Sequence, residues 1–155
     1  MKQDQVLIES LVAEIQVSYN PQVKISTLPK LHNSQDVYKL FIDTWDKSKI
    51  DYVEQFKALL LNRANRVLGI CLLSSGSTTG TVADPKQVFS VALKANACSI
   101  VIAHNHPSGN LNPSKSDEEI TSRMKLAGAL LDIKVIDHLI VTSEGYYSFA
   151  DEGTI

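Results

Sequence analysis

The run Ser99-Ile100-Val101-Ile102-Ala103-His104-Asn105-His106, continued by Pro107-Ser108-Gly109-Asn110-Leu111-Asn112-Pro113-Ser114-Lys115-Ser116-Asp117, decides how this chain is read. Residues 99–103 are almost wholly apolar and of strand length, the composition of a strand covered on both faces. The run ends directly at His104. Residues i and i+2 of a strand project to the same face about 6–7 Å apart, so the imidazoles of His104 and His106 can converge on one ion. The polar segment from His104 to Ser116, with Pro107, Gly109 and Pro113, is expected to be a loop that returns the chain towards the strand end. A helix is expected from about Ser116 to Leu131, carrying Ile120, Met124, Leu126, Ala127, Leu130 and Leu131.

Two imidazoles and one carboxylate are a donor set for a borderline cation such as Zn²⁺, and a catalytic zinc site keeps its fourth position for water. His104, His106 and Asp117 are therefore candidate ligands. With four histidines in the chain, a His-x-His pair is a weak signal taken alone. Ser114-Lys115-Ser116-Asp117 also has the makings of a helix N-terminus, with Ser114 as cap and Asp117 at N3 near the positive end of the dipole. Both readings can hold together, because a helix N-terminus can fix an aspartate and still aim it at the strand end.

Outward from this stretch, Ile133 to Thr142 reads as a buried strand, and Gly145 turns the chain into a short last strand around Tyr147 to Phe149. Upstream, Asp84-Pro85 is an N-cap followed by proline at the first helical position, and Val88, Phe89, Val91, Ala92 and Leu93 form an apolar stripe through about Ala97. The runs FKALLLN and RVLGICLLSS, separated by Arg63-Ala64-Asn65, suit an antiparallel hairpin. Ser34 is placed to cap a helix carrying Val37, Leu40, Phe41 and Trp45, and Val23 to Thr27 reads as extended. Residues 2–19 place Leu7, Ile8, Leu11, Val12 and Ile15 at helical spacing, ended by Pro21. The order β-β-α-β-loop-α-β predicts an α/β fold, a mixed central sheet flanked by helices. Residues 1–49 are expected to be a short helical extension packed on a domain of residues 50–155.

A chain of 155 residues with 44% hydrophobic and 21% charged residues is long enough for one ordinary core. Cys71 and Cys98 are too few for a disulfide framework and form no Cys-x-x-Cys pair, which points to a reducing cytoplasm. Each is expected to be a buried free thiol acting as a small hydrophobe. No apolar run approaches the roughly 18 residues that cross a bilayer, so a soluble protein with no membrane partner is expected. The net charge of -2 supplies no global field towards a phosphate backbone. Arg63 with Arg66, or Lys115 with Arg123 and Lys125, could form a local patch, although scattered cations on solvated faces are the plainer reading.

The stretch resembles the His-x-His-x7-Ser-x-x-Asp signature of the JAMM, or MPN, metalloprotease domain. Within that group it is most similar to the bacterial RadC-like branch, on His104-Asn105-His106-Pro107-Ser108-Gly109, then Pro113-Ser114 and Asp117. Glu54-Gln55-Phe56 leading into LLLN, Gly76 through Val82 ahead of Asp84-Pro85, and Asp137-His138-Leu139-Ile140-Val141 extend the likeness over about residues 50–150. The resemblance implies the MPN/JAMM, cytidine-deaminase-like sandwich. It makes His104, His106 and Asp117 zinc ligands, a bound water the nucleophile, Ser114 a donor to the developing oxyanion and Glu54 the general base. From spacing alone Glu54 would be an ordinary solvated glutamate. His138 could be a fourth ligand, but a histidine in a buried strand is more often a hydrogen-bonded neighbour of a ligand or a core residue.

The first functional expectation is thus a zinc-dependent hydrolase of amide or isopeptide bonds acting on a protein or peptide. The alternative is a DNA-repair-associated or mobile-element module that binds nucleic acid or a partner protein. Longer RadC-like proteins carry a glycine-rich helix-hairpin-helix segment, and the absence of any glycine before Gly69 argues against one here. A catalytically silent scaffold is disfavoured by the intact ligand set.

Overall fold

The computed structural model describes residue 13, residues 21–76 and residues 83–155. The helix expected over residues 2–19, and most of the Gly76–Val82 segment, lie outside the described residues. Among the described residues five strands form one sheet: β1 (Gln55–Leu61), β2 (Val67–Ser75), β3 (Ser99–Asn105), β4 (Lys134–Val141) and β5 (Tyr146–Ser148), in the order β2-β1-β3-β4-β5. Helix α1 spans Ser34–Thr44, α2 Pro85–Lys94 and α3 Lys115–Leu130. β1 pairs antiparallel with β2 and β3, β3 parallel with β4, and β4 antiparallel with β5. The sheet is mixed, as expected, and its one parallel pair is bridged by α3, the kind of crossover that parallel strands require.

Period-two alternation explains why both faces are covered. Phe56, Ala58, Leu60, Ile100 and Ile102 pack with Val88, Phe89 and Ala92 of α2 and Met124 of α3. Leu59, Leu61, Val101, Ala103, Leu139 and Val141 pack on the other face with Val37 and Phe41 of α1 and with Trp45. β1 and β3 are buried along their whole length, which is why they read as unbroken apolar runs. Gln55 and Lys57 are the polar exceptions in β1; the Lys57 ammonium lies 4.2 Å from the centroid of the Trp45 ring and donates to the Thr44 carbonyl at 3.2 Å.

The turns follow their residues. Asn65 takes a left-handed φ of 56° between β1 and β2, while Asn62 Oδ1 accepts from the N–H groups of Ala64 and Arg66 at 2.9 and 3.0 Å. Asn96 and Asp132 take φ of 54° just beyond α2 and α3, so α2 closes at Lys94 and not at Ala97. Gly128 touches β4's approach so closely that a Cβ there would collide with the Ile133 carbonyl oxygen.

Three local expectations are corrected. Val23 to Thr27 is not extended: Ile25–Thr27 is a 3-10 turn, in which Thr27 Oγ1 donates to the Lys24 carbonyl at 2.7 Å, and Val23 and Ile25 pair with no strand among the described residues. The cap of α1 is Asn33, whose Oδ1 accepts from Asp36 N–H at 2.8 Å; Ser34 is already helical. Cys98 is exposed and Cys71 half-buried, because Cys98 stands ahead of β3, where only its backbone is held by the Leu61 carbonyl at 2.8 Å.

Candidate metal centre

His104 closes the face of β3 that also carries Ile100 and Ile102, and it is buried to 2% exposure. His106 follows beyond the strand end, with its N–H donating to the Val141 carbonyl at 3.1 Å. The loop then turns at Gly109, whose φ of 76° few side chains tolerate. This turn brings the Asn110 carbonyl to 2.6 Å from His106 Nδ1. A carbonyl only accepts, so Nδ1 carries the proton and Nε2 is left as a lone pair.

The loop delivers α3 with its N-terminus facing the two rings. Ser114 caps the helix in a capping box with Asp117. Its N–H and its hydroxyl both donate to Asp117 Oδ2 at 2.7 Å, and Asp117 N–H donates to Ser114 Oγ at 3.2 Å. Capping and placement of the carboxylate beside the two rings are thus one arrangement. The cap holds one carboxylate oxygen, and the other lies 3.1 Å from His104 Nε2.

The separations fit one small ion. His104 Nε2 and His106 Nε2 are 3.0 Å apart, and His106 Nε2 lies 3.6 Å from Asp117 Oδ2. Zinc bonds of about 2.0–2.1 Å in a tetrahedron require ligand atoms about 3.3 Å apart; the two ring nitrogens lie close to that spacing, and Asp117 comes close to it with Oδ1 towards His104 and with Oδ2 towards His106. His104, His106 and Asp117 form a group that can hold a metal ion. Burial would raise the Asp117 carboxyl, but the neighbouring His104 and His106 rings and the Ser114 N–H outweigh it and hold the group well below the usual carboxylate range. His106 is pushed up in turn, first by its contact with the Asp117 carboxylate and also by the charge of Glu54.

Glu54 stands just ahead of β1, two residues before Phe56, which pairs with His104 across β1 and β3, and its charge bears on His106. Sequence reasoning missed the residue that secures this. Asn105, fully buried between the two histidines, faces away from them and donates through Nδ2 to the carbonyls of Ile50 and Val53 at 2.6 and 3.0 Å.

His138 is not within the ligand group. It lies behind His104, wholly buried, with Nε2 2.8 Å from His104 Nδ1, and burial holds it well below its ordinary value. Thr121 touches its other nitrogen at 2.6 Å. The only sequence hint of Thr121 was its place one helical turn after Asp117. Arg63 and Arg66 belong to the hairpin at the far end of β1, where Arg66 donates to the Leu28 carbonyl at 2.8 Å. His32 is exposed, its N–H donating to Asp36.

A mixed sheet with one histidine in a buried strand and a second just beyond its end, facing an aspartate at a helix N-terminus, is the arrangement of the MPN/JAMM class of domain, with a group that can hold a metal ion. Residues 31–154 match the family model described as the RadC-like JAB domain, and the chain belongs to that family. A UPF0758 protein of Flavobacterium johnsoniae is 39% identical over 145 residues, covering 93% of this chain and 62% of the relative. One from Thermotoga maritima is 34% identical over 149 residues, covering 94% and 64%. One from Symbiobacterium thermophilum is 42% identical over 103 residues, covering 66% and 44%. The chain spans less than two thirds of the length of these relatives.

Proposed function

We propose that this protein is a zinc-dependent hydrolase that cleaves amide or isopeptide bonds of a protein or peptide substrate. The observation that carries this reading is the convergence of His104 Nε2, His106 Nε2 and Asp117 within one small sphere. That donor set suits zinc, and three ligands leave room for a water. A zinc ion bound there lowers the pKa of its water from about 15.7 to about 7 and polarises a substrate carbonyl.

The chain's own residues supply the rest. Glu54, just ahead of β1 and felt electrostatically by His106, takes the proton of the attacking water and hands it to the leaving nitrogen. Ser114 turns its hydroxyl from Asp117 towards the carbonyl oxygen as negative charge develops there. Its backbone N–H at 2.7 Å keeps Asp117 in place meanwhile. The two free cysteines fit work in a reducing cytoplasm, and among the described residues no helix is long and apolar enough to cross a membrane.

The test is metal analysis of protein purified without added metal, followed by a panel of peptide and isopeptide conjugates. Stoichiometric zinc and cleavage that is lost in Glu54→Gln are expected. Absence of zinc, or cleavage unaffected by that substitution, would sink the reading.

A further inference from the structure

Each ring nitrogen of His138 has one partner. Nε2 lies 2.8 Å from His104 Nδ1, Nδ1 lies 2.6 Å from Thr121 Oγ1, and the same hydroxyl lies 2.6 Å from the carbonyl oxygen of Asp117. The direction of this chain follows from its last member. A carbonyl oxygen only accepts, so the single hydroxyl proton of Thr121 goes to Asp117. Thr121 Oγ1 then accepts from His138, whose proton sits on Nδ1. A neutral imidazole has one N–H, so His138 Nε2 accepts and His104 holds its own proton on Nδ1. What remains on His104 is the bare Nε2, the nitrogen that faces His106 Nε2 at 3.0 Å and Asp117 Oδ1 at 3.1 Å.

We propose that His138 and Thr121 are positioning residues for the metal centre: a one-way hydrogen-bond relay that locks His104 in its metal-binding tautomer and ties it to the backbone of Asp117. The inference rests on the metal-centre reading. Neither residue touches the ion. The relay closes a ring, because Asp117 supplies both its final acceptor and a carboxylate ligand beside His104. A helical threonine that bonds back to the carbonyl four residues earlier is ordinary, but here the same oxygen also receives the proton of a wholly buried histidine.

The surroundings pack the His138 ring and offer it no free carboxylate at Asp137. Its ring is stacked on Phe149 at 4.9 Å and tilted against Phe56 at 6.0 Å. The neighbouring Asp137 carboxylate is occupied by the N–H groups of His138 and Ala150 at 2.7 and 2.9 Å and by the Ser148 hydroxyl at 2.7 Å. Removing the hydroxyl of Thr121 frees His138 to reverse its proton, and His104 then loses the acceptor that holds its Nδ1–H. Partners of this kind are worth about 10–100-fold in metal affinity.

The experiment compares the natural protein with Thr121→Val, which keeps the shape, and Thr121→Ser, which restores the hydroxyl. Zinc affinity is measured by chelator competition, and the protonated nitrogen of His138 by nitrogen-15 NMR with and without zinc. His138 is expected to carry its proton on Nδ1 in the natural protein in both states. Thr121→Val should lose that pattern and bind zinc about 10–100-fold more weakly, and Thr121→Ser should recover both. A proton on Nε2 of His138 in the natural protein overturns the relay without needing any variant. Natural zinc affinity in Thr121→Val overturns the relay and leaves the metal centre standing. No zinc bound by the natural protein overturns the metal centre and the relay's purpose with it.

Discussion

Asn105 Oδ1 accepts a hydrogen bond from the backbone N–H of Gln55 at 2.7 Å, so the residue between the two histidines also holds the segment that presents Glu54. Its Nδ2 fastens the carbonyls of Ile50 and Val53. Asn105→Ala would leave three backbone groups without their partner. With each buried unsatisfied group costing about 1–3 kcal/mol, a loss of roughly 3 kcal/mol is expected by urea denaturation. Zinc should stay bound, because His104 and His106 are untouched, while turnover falls as Glu54 loosens. Unchanged stability and turnover would refute this clamp.

Substitutions in the site should fall into two classes. His104→Ala, His106→Ala and Asp117→Ala each remove a ligand, so zinc content and activity should drop together. Glu54→Gln should keep zinc and lower turnover by about 10² to 10⁴, the usual worth of general acid-base catalysis. Ser114→Ala should keep zinc, lose up to about 10² to 10³ in turnover, and cost about 1 kcal/mol through the lost cap. Metal content measured beside activity on every variant separates the classes, and a zinc-free Glu54→Gln would contradict the assignment.

Acid should destabilise the zinc-free protein from pH 6.5 downwards. Burial holds His138 well below its ordinary value of 6.5, so below that pH the unfolded chain binds a proton that the native state refuses. Its contribution is intact above pH 6.5 and is lost as pH falls, by up to about 1.4 kcal/mol per pH unit. Asp117, whose carboxyl is held low, adds a loss of the same sign below its ordinary value of 3.8. His106, pushed up chiefly by Asp117, acts oppositely: its contribution is complete below pH 6.5 and fades as pH rises through its elevated value. Urea midpoints from pH 8 to 5 check this, and a flat profile between pH 6.5 and 5 would contradict the burial argument for His138.

Helix α1 should unfold with the sheet. Phe41 is fully buried among Leu59, Leu61, Val101 and Leu139, so Phe41→Ala should cost about 3–5 kcal/mol. Circular dichroism and Trp45 fluorescence should still report one coincident transition. Separate transitions would show α1 to be an independent unit.

Duplex DNA should bind weakly, with affinity falling steeply as salt rises. The net charge is -2, and Arg66 already donates to Leu28. A fluorescence titration at physiological salt decides it. Submicromolar, sequence-selective binding there would put the nucleic-acid reading ahead of the hydrolase.

The sequence by itself determined most of the elements and brought out the candidate ligand set, because those depend on local chemistry. Apolar runs without alternation marked β1 and β3 as strands covered on both faces. Asp84-Pro85 marked a helix start, and His104, His106, Ser114 and Asp117 sit on one short stretch whose spacing is visible in the chain. Where local signals compete, the reading slipped by a residue, as at Asn33 and Ser34. Tertiary structure alone decided what lies opposite what. Phe56 meets His104, and the start of β1 next to Glu54 reaches the histidine end of the sheet, only through the register of β1 on β3, and His138 reaches His104 only because β4 pairs parallel beside β3. Asn105 becomes a clamp only when the segment before β1 folds over it. Such relations join residues 17 to 55 positions apart, and strand register is set by which faces can be buried together, a condition that no single segment of the chain contains.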